Sequence, residues 1–392
     1  MRRIPFNSEG GVVLPMVVIF MIALSIVGLV LLRTTVLEHK LTTREVYRNQ
    51  AFFLADAGID HLTYKVYRWE KPDLIDWTPL GDGQYQVVAD YLASPPYAIS
   101  TGQRLKDGEV KAERKIRVNV GEESIFFHAV FADESIKMTG VAFVDGDIGT
   151  NSIDDNAITL TAGTNVSGDA VVGPGGEPNA VISGEESITG SLSALSQPRP
   201  MEPYPLPPGL DPAPADSGPL MVAGGDVQTI LGAGGPYYYS EITVNGELII
   251  DGPCTFLVDR LRTQGGGGAG LITIRDVAFD PDGDSVVFYI TEEASLAGSG
   301  IVNENPIPDA RTLYIYGTET CSSITFSGSR DLVAAIYAPE ADISCTGDAY
   351  LFGSVIGNTV EIKGNPQVIY DPNLGGPTVV GYFVLRDWRE VF

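Results

Sequence analysis

SEGGVVLPMVVIFMIALSIVGLVLLR, residues 8–33, decides how the rest of the chain is read. From Val12 to Leu32 it holds 21 residues without a formal charge. At about 1.5 Å of rise per residue, a helix of that length crosses the roughly 30 Å hydrocarbon core of a bilayer. Arg2 and Arg3 precede the run, so the positive-inside rule keeps the N-terminus cytoplasmic and sends the remainder outward, despite the competing Arg33. A secretory signal would have a shorter apolar core ending in a small-residue cleavage site. Here a polar leader, residues 1–11, stops at Gly10 and Gly11, and the apolar run begins at once. Hydropathy alone leaves a plain signal anchor open.

The helical pattern outlasts the span. After Leu32 neither proline nor glycine occurs until Gly58, and Phe52, Ala55, Ile59, Leu62 and Val66 recur at spacings of three and four. This predicts one helix over residues 12–67, about 80 Å long, built as a membrane span at 12–32, a more polar neck, and a stripe docked on a domain. Within AFFLADAGI, residues 51–59, the small side chains of Ala55, Ala57 and Gly58 let the helix approach its neighbours closely.

Leader, uncharged span and AFFLADAGI segment together resemble the N-terminal region of PilX-type minor pilins, within the type IV pilin and pseudopilin group. The resemblance covers about residues 7–67. It implies cleavage by a prepilin peptidase after Gly11, leaving Val12 as an N-methylated first residue; the alternative cut follows Gly10. It also implies insertion in a bacterial inner membrane with other pilins as partners. Major pilins usually carry a glutamate at the fifth mature position, where Met16 stands here (Pro15 for the alternative cut), which points to a minor subunit.

Beyond the helix, Gln84–Asp90, Tyr97–Thr101 and Val110–Val120 read as strands separated by turn signals, a small antiparallel sheet over 84–120 expected to pack on the stripe. From about residue 125 to 375 the texture becomes short apolar runs broken by glycine. ITFSG (324–328), ISCTG (343–347) and VEIKG (360–364) repeat loosely, their glycines 19 and 17 residues apart, and IKMTG (136–140) and ITVNG (242–246) echo them. Such a period suits a β-solenoid, with a β-sandwich as the alternative. The fold class is α+β: a long pilin-like helix on a small sheet, then a large all-β domain. Nine prolines between Gln197 and Pro219 mark an exposed, extended excursion crossing between two β portions. In the C-terminal part, 376–392, the run Thr378–Leu385 is expected to close the domain.

Fifty acidic against 25 basic side chains give a formal charge of −25, which repels phosphate backbones and excludes a nucleic-acid partner. Cys254, Cys321 and Cys345 lack zinc-site spacing, and Cys345 shares a repeat position with Phe326 and Ile362, a core position. The histidines, His39, His61 and His128, assemble no catalytic pattern, and no nucleophile elbow, HExxH or P-loop occurs, so no enzyme and no cofactor are expected. Asp280, Asp282 and Asp284 in DPDGDS resemble the start of a calcium loop, but Ser285 and Thr291 stand where an EF-hand needs glycine and glutamate. The reading is a pilus assembly component displaying an acidic β domain at the filament tip, a placement argued from its bulk and its charge of one sign; the alternatives are a large type II secretion pseudopilin and a membrane-anchored β-helix adhesin or carbohydrate-active enzyme.

Overall fold

The computed structural model describes residues 13–68, 70–207, 209–211, 213–232, 235–265, 270–277, 285–305, 308–327, 330–348, 350–375 and 381–391. The chain divides into two compact units, one of residues 1–65, 71–121 and 385–392 and one of 66–70 and 122–384.

In the first unit a single helix, α1 (Val13–Tyr67), runs for 55 residues. Four antiparallel strands follow, β1 (Leu74–Leu80), β2 (Gly83–Asp90), β3 (Tyr97–Lys106) and β4 (Glu109–Ser124), ordered as in the chain. β1 had no sequence signal because Pro79 interrupts it; proline is tolerated there since β1 is an edge strand. The fifth strand, Gly381–Val391, lies beside β4. The C-terminal run therefore completes the small sheet and does not close the large domain. Asn119 Nδ2 donates to Asp387 Oδ2 at 3.0 Å, and Arg114 pairs with Glu390 at 3.1 Å.

The second unit is a solenoid of three faces whose strand ladders are all parallel, which excludes the antiparallel sandwich. Along the first face one inward ladder reads Ile242, Leu261, Ala294, Ile324, Ile343, Val360, Ile136, Ile158 and Ile182. The first residues of all five motifs noted above stand in that ladder. Two residues on, at the next inward position, Phe326, Cys345, Ile362 and Met138 stack in register. The period exists because each coil must bury the same side-chain positions against its neighbours.

The coils do not stack in chain order. The coils from 219 to 370 stack first, and those from 130 to 195 continue the same stack beyond them in the same direction. The last coil, carrying Tyr350–Gly364, then pairs in parallel with the first strand, Val130–Gly140. In the early coils Val144, Val166 and Ile188, Gly146, Gly168 and Gly190, and Asp147, Asp169 and Ser191 repeat every 22 residues. The Asp147 Oδ1 accepts from Asp169 N, and Asp169 Oδ1 from Ser191 N, both at 2.7 Å, so each coil closes the corner of the next.

Candidate functional site

The first candidate element is α1. Its described apolar half faces solvent throughout: Met16 is 71% exposed and Leu29 68%. The helix is long and apolar enough to cross a membrane. Polar groups in and next to this stretch are satisfied within the helix. Ser25 Oγ donates to Met21 O at 2.8 Å, and the Thr34 and Thr35 hydroxyls donate to Leu31 O at 2.8 and 2.9 Å. A hydroxyl bonded to its own preceding turn presents no unpaired donor to hydrocarbon.

The second half docks on the sheet of the same unit. Ala51, Leu54, Ala55, Ile59 and Leu62 are buried, one residue out of phase at its start with the expected stripe; Phe52 sits at the margin, edge-on to Trp388 at 5.4 Å. Ala55 is fully buried, Gly58 is buried and Ala57 is half-buried. Two glycines allow the approach. A Cβ on Gly102 would lie 2.1 Å from Ala51 O and 2.3 Å from Ala55 N, and one on Gly58 would lie 2.2 Å from Ser100 Oγ. Gly11 and Val12 lie outside the described residues.

The second candidate is an outward stripe on another solenoid face. Leu257, Tyr289, Tyr316, Tyr337, Ile356 and Phe131 occupy successive rungs of one ladder and would form an exposed apolar strip. The proline-rich excursion covers it, contrary to the exposed course expected from its prolines. Asn151 Oδ1 accepts from Arg199 N at 2.7 Å, Tyr337 Oη donates to Glu202 O at 2.8 Å, Tyr204 stacks on Tyr316 at 4.6 Å, and Ser217 N donates to Tyr238 O at 3.0 Å. Leu210 is fully buried. The contacts climb the ladder in order. Seven rung spacings of about 4.8 Å make roughly 34 Å, whereas the residues between Arg199 and Ser217 could reach about 56 Å as polyproline helix, so the strap reaches the far end with length to spare. An extended proline-rich segment on an aromatic strip is a known mode of peptide recognition, here satisfied within one chain.

At the foot of the strap His128 is buried, 5.1 Å from the Phe131 ring. Burial, with the nearby positive Arg199 adding to it, pushes its pKa down to about 3. Arg199 itself pairs with Glu123 at 2.9 Å and lies over the Phe127 ring. Burial pushes the thiols of Cys254, Cys321 and Cys345 up to about 12; all three are unbridged. Asp280, Asp282 and Asp284 lie outside the described residues, and among the described residues no cluster of metal-ligating side chains occurs.

Charge is divided unevenly. Residues 122–384 hold 35 of the 50 acidic side chains and 8 of the 25 basic ones, a net charge of −27, leaving +2 for the rest.

Residues 215–376 match a domain of unknown function, DUF7305. No curated protein matches the chain. Among solved structures, the chain is similar to an ice-binding protein from the Antarctic ascomycete Antarctomyces psychrotrophicus, with 14% identity over 63% of this chain and 95% of that one, at a TM-score of 0.34. An ice-binding protein DUF3494 domain from Shewanella frigidimarina gives 19% identity, the same coverage and a TM-score of 0.35. The competence-associated pilin ComZ from Thermus thermophilus gives 14% identity over 88% of this chain and 97% of that one, at a TM-score of 0.25.

Proposed function

We propose that the chain is a minor-pilin-like assembly component. Its leader would be removed by a prepilin peptidase after Gly11, its helix held in a bacterial inner membrane with the N-terminus cytoplasmic, and its solenoid displayed outside, at a filament tip. The observation that carries this reading is α1 itself: one unbroken helix whose first half is wholly exposed and apolar and whose second half is docked on a sheet. A plain anchor needs only the first half. A subunit that must leave the membrane and pack beside other helices needs a rigid continuation into its own folded domain.

The charge division supports a minor role. The helix-and-sheet residues carry almost no net charge and can pack against like subunits, whereas copies carrying −27 on each solenoid repel one another. Solenoids repeated along a shaft would pay that repulsion at every step, and one at a tip would not. Met16 in place of a glutamate agrees with this.

The test is coexpression with a prepilin peptidase and mass spectrometry of the mature protein. The expected product begins at Val12 and carries an added N-methyl group. A chain that keeps its leader sinks the proposal.

A further inference from the structure

The outward side of the first solenoid face differs from everything around it. Its paired strand positions carry four acidic and four basic side chains. Lys137 pairs with Glu361 at 3.2 Å, and Arg262 lies between Glu293 and Glu241. Arg260, Lys363 and Asp342 complete the set, with Arg260 reaching Glu292 in the bulge at the margin, 3.4 Å away. Removing these four of each sign from the 35 and 8 of residues 122–384 leaves 31 acidic and four basic side chains for the rest of the solenoid.

Between the ion pairs lies a rank of hydroxyls. Ser295, Thr325 and Ser344 occupy the same position on three successive rungs, and Ser323 stands two residues before Thr325. All four are half-buried, and none has a hydrogen-bond partner among the described residues. Parallel rungs fix their spacing at about 4.8 Å, and the backbone ladders beneath keep them from rearranging.

We propose that this face binds an uncharged, repeating polyhydroxyl polymer, a neutral polysaccharide lying along the solenoid axis. Three features select that occupant. The hydroxyls are pre-positioned donors and acceptors whose ordering cost was met on folding. Their regular pitch favours a ligand that repeats. The acidic remainder repels anionic polymers and also a second copy of the chain, whose own −27 would come within a few Debye lengths of about 8 Å; a neutral ligand meets no such barrier. The inference does not depend on the pilin reading, because a chain left uncut by the peptidase would bind equally.

The experiment is retention of the full chain, in detergent micelles, on microcrystalline cellulose and chitin, with heparin beads as the anionic comparison. Wild-type protein is expected on at least one neutral polymer. Thr325→Glu and Ser344→Glu should each weaken retention at least tenfold, and the milder Ser344→Ala should weaken it measurably without any risk to folding. Thr229→Glu, on an exposed strand of a different face, should leave it unchanged. Retention on neither neutral polymer, equal retention of all variants, or retention on heparin alone overturns the proposal. So does wild-type incorporation into growing ice without polysaccharide binding, which would assign the face to a different solid.

Discussion

Acidification should loosen the solenoid through His128. The residue is buried at the foot of the strap, where desolvation, helped by Arg199, holds its pKa at about 3 against an ordinary value of 6.5. The unfolded chain therefore binds a proton between pH 6.5 and 3 that the folded chain refuses. Stability from this group is fully present above pH 6.5 and falls as the pH drops towards 3. At about 1.4 kcal/mol per pH unit, the loss from pH 6.5 to pH 5 is on the order of 2 kcal/mol, and down to pH 3 on the order of 5 kcal/mol. Carboxylates protonate over part of that range, so the comparison that isolates His128 is a non-titrating variant, His128→Gln. Urea unfolding at pH 7 and pH 5 should be followed by near-ultraviolet circular dichroism of tyrosine, because Tyr204, Tyr289, Tyr314 and Tyr316 pack against one another in the solenoid. The variant should start less stable at pH 7, having lost packing, and should lose about 2 kcal/mol less than wild type on going to pH 5. Equal losses in the two proteins would show that His128 takes up its proton without penalty, and the argument would fail.

Gly102→Ala should destabilise the helix-and-sheet unit by about 1–3 kcal/mol or more, because the new methyl meets backbone atoms of α1 that cannot rotate away. Gly28→Ala, with open space around it, should be tolerated; tryptophan-detected unfolding distinguishes the two. Tyr316→Phe should stabilise the solenoid by about 1 kcal/mol, since it removes a buried hydroxyl that has no hydrogen-bond partner among the described residues. A drop in stability would mean that the hydroxyl is satisfied after all. Iodoacetamide at pH 8 should label none of the three cysteines in the native protein and all three in urea, because burial keeps the thiols protonated. Native labelling of Cys345 would contradict its core placement.

Local signals made much of the architecture legible. The charge-free run from Val12 to Leu32 and the stripe reaching Leu62 identify one long helix, because helical periodicity and bilayer thickness are properties of contiguous sequence. The IxxxG motifs point to a solenoid because stacked coils reuse the same inward positions; the 22-residue period through Gly146, Gly168 and Gly190 was equally available. The glycine-ended leader suggests processing, and Ala55 and Gly58 suggest close packing, from residue size alone.

What the sequence could not supply depends on which distant segments meet. Prolines between Gln197 and Pro219 exclude an internal strand, but whether such a segment is solvated or held depends on the strip of Tyr289, Tyr316 and Tyr337 that it meets, and those tyrosines share a stripe only after the coils stack. The out-of-order stacking that sets Tyr350–Gly364 beside Val130–Gly140, and the return of Gly381–Val391 to β4, are long-range pairings with no local signature. Total charge was readable as −25, but its cancellation on one face was not, since that face draws single positions from coils scattered between residues 135 and 363. The sequence by itself determined the helix and the solenoid class, because each follows from neighbouring residues; the tertiary structure alone decided the strap, the out-of-order stacking of the coils and the balanced face, because each is made by residues that only folding brings together.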